Sequence, residues 1–101
     1  MIYTLIHCAT TEEAKRIAAL AIGKKAAVLT SIVPAEVFSC DMPSPGSSTS
    51  EALLIAVTSE QNLAVLEDIA RDNPDGGRAP RIASFVPHRV NHEFKEWLAK
   101  C

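Results

Sequence analysis

The stretch Glu51–Ala70 reads EALLIAVTSEQNLAVLEDIA, and it constrains this chain more than any other. Ala52–Val57 is an unbroken apolar run of about one strand's length. A strand that is apolar on both faces belongs in the middle of a sheet. Thr58 follows as a predicted helix N-cap, with Gln61 three residues on at the spacing of a capping box. Leu63, Leu66, Ile69 and Ala70 then recur at steps of three and four, which marks one face of a helix running from Thr58 to Arg71. A buried strand that runs straight into an amphipathic helix is half of a βαβ unit.

The rest of the chain supplies the other half. Ile2–Ile6 reads as a first strand, rich in β-branched and aromatic residues. Thr10 and Glu13 form a second capping box, and a helix over Thr11–Ile22 puts Ala14, Ile17, Ala18 and Ala21 on one face. Gly23 is its expected stop, with Lys24 and Lys25 suited to the negative end of the helix dipole. A second strand is predicted over Ala26–Val33, its regular pairing ended by Pro34, with Val37–Cys40 continuing as extended chain. Pro43–Ser50, PSPGSSTS, is built of turn residues and is expected to be a mobile loop. Asn73-Pro-Asp-Gly-Gly ends the second helix, Arg81–Val86 is the fourth strand, and Asn91 caps a short last helix with Phe94, Trp97 and Leu98 on one face. The order β-α-β, β-α-β, helix predicts an α+β ferredoxin-like sandwich. This is one domain over residues 1–101, with a four-stranded antiparallel sheet, helices on one face and an extra C-terminal helix.

Composition narrows the function classes. The chain is 48% apolar but only 5% aromatic, so its core is aliphatic and alanine-rich. A net charge of -2 argues against a nucleic-acid partner, which needs a concentrated basic face. The three cysteines are widely spaced and form no C-x-x-C pattern, so neither a disulfide framework nor a zinc finger is implied. Met1–Cys8 is too short for a signal-peptide core and nothing in the sequence spans a membrane, so a cytoplasmic protein is expected. The strands alternate poorly. Val28, Leu29, Ile32, Val33 and the whole of Ala52–Val57 put apolar side chains on both faces. The helix-free face would then expose more apolar surface than soluble monomers tolerate, which predicts self-association.

Candidate chemistry is sparse. Cys8 sits just before a helix N-terminus, where a thiolate is favoured and soft metals bind; the plainer reading is a small buried thiol. Cys40-Asp41-Met42 gathers soft and hard ligands beside the predicted loop, with a strand edge and turn as the plainer reading. These four residues, Cys8, Cys40, Asp41 and Met42, are the candidate metal ligands. His88 and His92 have helical spacing but straddle the cap at Asn91, so they do not share a helix face. Asp75-Gly-Gly-Arg78 follows a helix and lacks a G-K-[ST] ending, so turn chemistry explains it better than phosphate binding. Phe94 and Trp97 read as packing residues. No serine or cysteine has an identifiable base and orienting group, so the chain is read as a non-enzyme.

An ordered set of residues resembles the divalent-cation tolerance (CutA) family along nearly the whole chain. It comprises Ala14-Lys-Arg-Ile-Ala18, Pro34, Glu51-Ala-Leu-Leu with Thr58, Pro80 with Ile82, and Asn91-x-x-Phe94-x-x-Trp97-Leu98. The departures fall in the family's polar positions. Leu29 stands for a cysteine, Cys40–Pro45 for an aromatic hairpin stretch, Val57 for a lysine, and Asn73-Pro74 for a histidine-led H-P-Y motif. The resemblance implies a homotrimer linked to copper or other divalent-cation tolerance, with weak or vestigial metal binding at this altered site. The alternative is a trimeric sensor that holds a small anion or nucleotide in a cleft between subunits.

Overall fold

The computed structural model describes residues 1–72 and 81–101. Four strands and three helices follow in the order β1 (Ile2–Cys8), α1 (Thr11–Gly23), β2 (Leu29–Val37), β3 (Thr49–Thr58), α2 (Glu60–Asp72), β4 (Arg81–Phe85) and α3 (His92–Ala99). The strands make one antiparallel sheet in the spatial order β2-β3-β1-β4. Helix α1 lies against β2 and β3, and α2 lies against β1 and β3 and beside α1. This is the ferredoxin-like sandwich, with α3 appended. The unbroken apolar run of Ala52–Val57 falls in β3, which is paired on both sides, as a strand apolar on both faces requires.

The core lies between the sheet and the helix pair. Ile6, Cys8, Ala52, Leu54 and Ala56 face Ala14, Ile17, Ala18, Ala21, Leu66, Ile69 and Ala70. Alternation of side chains puts Ile2, Thr4, Ile6 and Cys8 on this face through their partners Thr58, Ala56, Leu54 and Ala52. Thr10 caps α1: the Glu13 backbone N–H donates to the Thr10 hydroxyl at 3.1 Å. At α3 the Phe94 N–H donates to the Asn91 side chain at 3.0 Å.

Several boundaries differ from the sequence reading, each for a physical reason. Gly23 is the last residue of α1, and the left-handed residue that closes the helix is Lys25, at φ 58°. The Lys25 N–H donates to Ile22 O at 3.1 Å and the Ala26 N–H to Ala21 O at 2.8 Å. These bonds draw Ala26 and Ala27 into the helix cap, so β2 begins at Leu29 instead of Ala26. Pro34 does not end the pairing. It sits opposite Ala52, and β2 runs on to Val37, because an edge strand has one row of N–H groups that needs no partner.

Thr58 is not the cap of α2. It is the last residue of β3, and its buried hydroxyl donates to Ala26 O at 2.6 Å, which ties the end of the central strand to the α1–β2 connection. Ser59 takes the turn position instead, accepting the Asn62 N–H at 3.1 Å. Thr49 and Ser50, assigned by sequence to the loop, belong to β3. The Asn73–Gly77 stop and the Asp75–Arg78 segment lie outside the described residues.

The strained cap gives a first prediction. Lys25→Gly removes the side-chain clash that a non-glycine residue meets at positive φ, against a larger entropy in the unfolded chain. We expect a net change between about zero and 1 kcal/mol stabilising, read by urea unfolding. A loss of more than about 1 kcal/mol would mean that the lysine side chain itself holds the cap.

Candidate functional site

Two features stand apart from the helix–sheet core: the β2–β3 hairpin loop and the helix-free face of the sheet. The hairpin loop carries the 40–42 ligand set. Cys40 and Asp41 are exposed and Met42 is half-buried. The loop folds on itself through a turn over Ser44–Ser47, in which the Ser47 N–H donates to Ser44 O at 3.2 Å and the two hydroxyls meet at 2.6 Å. Gly46 takes φ 86° there, a conformation that glycine adopts without strain. A shallow cavity of about 270 Å³ beside this turn is lined in part by Phe38, Cys40 and Met42.

Asp41 is committed elsewhere. It accepts a hydrogen bond from the Ser39 hydroxyl and lies 3.8 Å from the Arg81 guanidinium. That guanidinium arrives from β4, the far edge of the sheet, where Arg81 pairs with His7 of β1. The sequence reading missed Arg81 as a neighbour of the hairpin. Strand alternation could place it on a face, but only the register of β4 brings Arg81 beside the loop.

Cys8 is not brought to this set. Its side chain is fully buried in the core, opposite Ala52, with Sγ 3.7 Å from Ile6 O. His88 is exposed and precedes α3, whereas His92 is its first residue and pairs with Glu96 at 2.8 Å, so the two do not converge. Among the described residues no group of three or more His, Cys, Asp or Glu side chains could hold a metal ion. Within one chain the 40–42 stretch therefore offers one free thiol, one thioether and one carboxylate with a cation at its side. That set does not fit a closed zinc site, which needs four ligands of fixed geometry.

The second feature is larger. On the helix-free face the register sets side chains in cross-strand rows: Leu29, Val57, Tyr3 and Phe85; then Ser31, Ile55, Leu5 and Ala83; then Val33, Leu53, His7 and Arg81. Tyr3 and Phe85 stack with ring centroids 5.7 Å apart. The first two rows are apolar but for Ser31, and the polar groups collect at the hairpin end. Val33 and Phe85 are 43% and 47% exposed, and Leu5, Leu53 and Ile55 are half-buried. The aromatic pair of α3 is likewise not core packing within one chain: its rings stack at 6.1 Å, but no residue of α3 is buried and Trp97 is 43% exposed.

No protein-family model matches the chain, and no curated protein does. Solved structures match it from end to end. The periplasmic divalent cation tolerance protein CutA of Archaeoglobus fulgidus is 25% identical, with a TM-score of 0.81 over 99% of this chain and 97% of that one. CutA1 of Pyrococcus horikoshii superimposes with a TM-score of 0.82 at 16% identity, over 99% of this chain and 96% of that one. CutA1 of Oryza sativa gives 0.75 at 22% identity, over 98% and 90%. The chain thus has the CutA fold over its full length, with the C-terminal helix included. Among the described residues, no helix is long and apolar enough to cross a membrane.

Proposed function

We propose that this chain works as a CutA-like homotrimer, non-enzymatic and cytoplasmic, in divalent-cation tolerance, with weak or vestigial metal binding. The observation that carries this reading is the full-length match to CutA proteins of three different organisms, made by a chain whose helix-free sheet face is apolar. Three subunits that turn those faces toward one axis would cover Leu5, Leu53 and Ile55, closed cyclic symmetry being the usual way to bury such a surface without leaving a sticky end. Cys40 and Cys101, both exposed and unpaired, suit a reducing compartment.

The metal reading rests on the hairpin. Cys40 and Met42 are soft donors on an exposed loop, and a neighbouring subunit is the source of any further ligand. The Arg81 guanidinium beside Asp41 opposes a divalent ion there. We therefore expect zinc to bind more weakly than micromolar, and copper(I) to depend on Cys40 and Met42. Isothermal calorimetry on the assembled protein tests both. Nanomolar zinc affinity that vanishes in Cys40→Ala would show an intact site and overturn the vestigial reading. Copper(I) binding that is unchanged in the Cys40→Ala, Met42→Leu double variant would place the ion elsewhere.

A further inference from the structure

The C-terminal helix encloses a second, unrelated feature. Between α3 and the end of the sheet lies a cavity of about 330 Å³, at the small end of the range for ligand pockets. Its walls are apolar, including Ala27 and Val28 from the α1–β2 connection, Val57 from β3 and Leu98 from α3. Val57 belongs to the helix-free face yet is only 2% exposed, with α3 across the cavity from it. The helix covers this end of the sheet without packing into it, as the absence of any buried residue in α3 shows.

The polar lining is of one sign. Lys25 from the α1–β2 connection and Lys95 from α3 both line the cavity, together with Thr58, Ser59 and Asn62, and no carboxylate side chain lines it. Among the described residues neither lysine makes an ion pair. The left-handed backbone of Lys25 is a conformation that glycine adopts more readily than lysine.

We propose that this cavity binds a small amphipathic anion, a carboxylate on an aliphatic body. The body would fill the gap under α3 and complete its packing against Val57 and Leu98, while Lys25 and Lys95 hold the acid group at the rim. A neutral molecule would leave both cations without a partner, and a small inorganic anion would leave the apolar walls unfilled. The site lies within one chain and uses none of the hairpin residues, so it stands or falls separately from the metal reading.

Trp97 reports on it. It is the single tryptophan of the chain, neighbour to Leu98 on α3, and half in water. Octanoate titrated into the assembled protein should shift Trp97 emission saturably and raise the thermal midpoint, whereas octanol and acetate should do neither. Lys25→Gly and Lys95→Met should each weaken octanoate about tenfold, the loss of one charge-assisted contact. Ala99→Phe, at an exposed helix position on the cavity wall, should abolish it by filling the space. Failure to saturate, an equal response to octanol, indifference to both lysine substitutions, or an emission change that only follows dissociation in light scattering would each overturn the proposal. Urea unfolding of Lys25→Gly without ligand separates a lost charge from a disturbed cap: unchanged or higher stability with weaker octanoate binding supports the proposal, and weaker binding that appears only with lost stability, together with unchanged binding in Lys95→Met, overturns it.

Discussion

On a sizing column with light scattering, the wild-type chain should elute as one species of three times its 10.9 kDa mass, and Ile55→Lys should elute as a folded monomer. Ile55 sits at the centre of the helix-free face, on β3, between Ser31 of β2 and Leu5 of β1. In a lone subunit its side chain is half-exposed, so a lysine there can reach water and the fold survives. In a trimer joined through this face the same lysine would be driven, three times over, into an apolar interface. Burying an unpaired charge costs several kcal/mol per site after relaxation. Summed around a threefold axis, that is enough to dissociate an assembly whose interface is on the order of 2,000 Å². Circular dichroism of the monomer should keep the wild-type helix and strand signals. A wild-type monomer at micromolar concentration would remove the trimer altogether. A dimer would keep the apolar-face argument and break the likeness to CutA at the level of assembly. An Ile55→Lys variant that stayed trimeric would put the interface somewhere other than the centre of this face.

The same rows of residues show what the sequence made legible and what it did not. Strand and helix identities were readable because Ala52–Val57 has no polar break and the α1 and α2 faces repeat at helical spacing. Both depend only on neighbours along the chain. The ends of elements were misplaced wherever a distant partner decided the matter. Thr58 has the right spacing for a helix cap, but the β2–β3 pairing carries β3 through Thr58, whose hydroxyl donates to the Ala26 carbonyl, and the helix starts later, at Glu60. Gly23 looked like the helix stop, but the turn closes two residues later, where Ala26 and Ala27 both donate to Ala21 O. Pro34 breaks a central strand and is tolerated in an edge strand, and which of these β2 is depends on sheet order. The candidate site was harder still. Cys8, Cys40, Asp41 and Met42 all have donor chemistry, yet burial withdraws Cys8 and Arg81 engages Asp41. Both facts come from packing and register across strands far apart in sequence.

The largest effect on the single chain should come from Leu54→Ala. More than half of the buried cluster is alanine, so the large side chains Ile6, Ile17, Leu54, Leu66 and Ile69 carry most of its volume. Leu54 is fully buried at the middle of β3, flanked on the helix face by Ile6 of β1 and Ile32 of β2. Truncating a buried leucine loses transfer energy and leaves a cavity, and costs about 2–5 kcal/mol where the walls cannot collapse. Here the paired strands on either side fix the backbone, so the upper half of that range is expected. A domain of this size has a net stability of about 5–15 kcal/mol, and each kcal/mol moves its midpoint by about 4–8 °C. The variant should therefore melt at least about 15 °C, and up to about 40 °C, below wild type at equal protein concentration. Leu53→Ala, one residue earlier and on the opposite face, supplies the contrast. Its leucine is only half-buried in the chain, so its loss should appear chiefly as weaker assembly and a melting point that depends more steeply on concentration. The pair reads the register of β3 directly, since a slip of one residue exchanges the two faces. Equal losses from both substitutions at every concentration, or the larger loss from Leu53→Ala, would place the helix-packed core on the wrong side of the sheet.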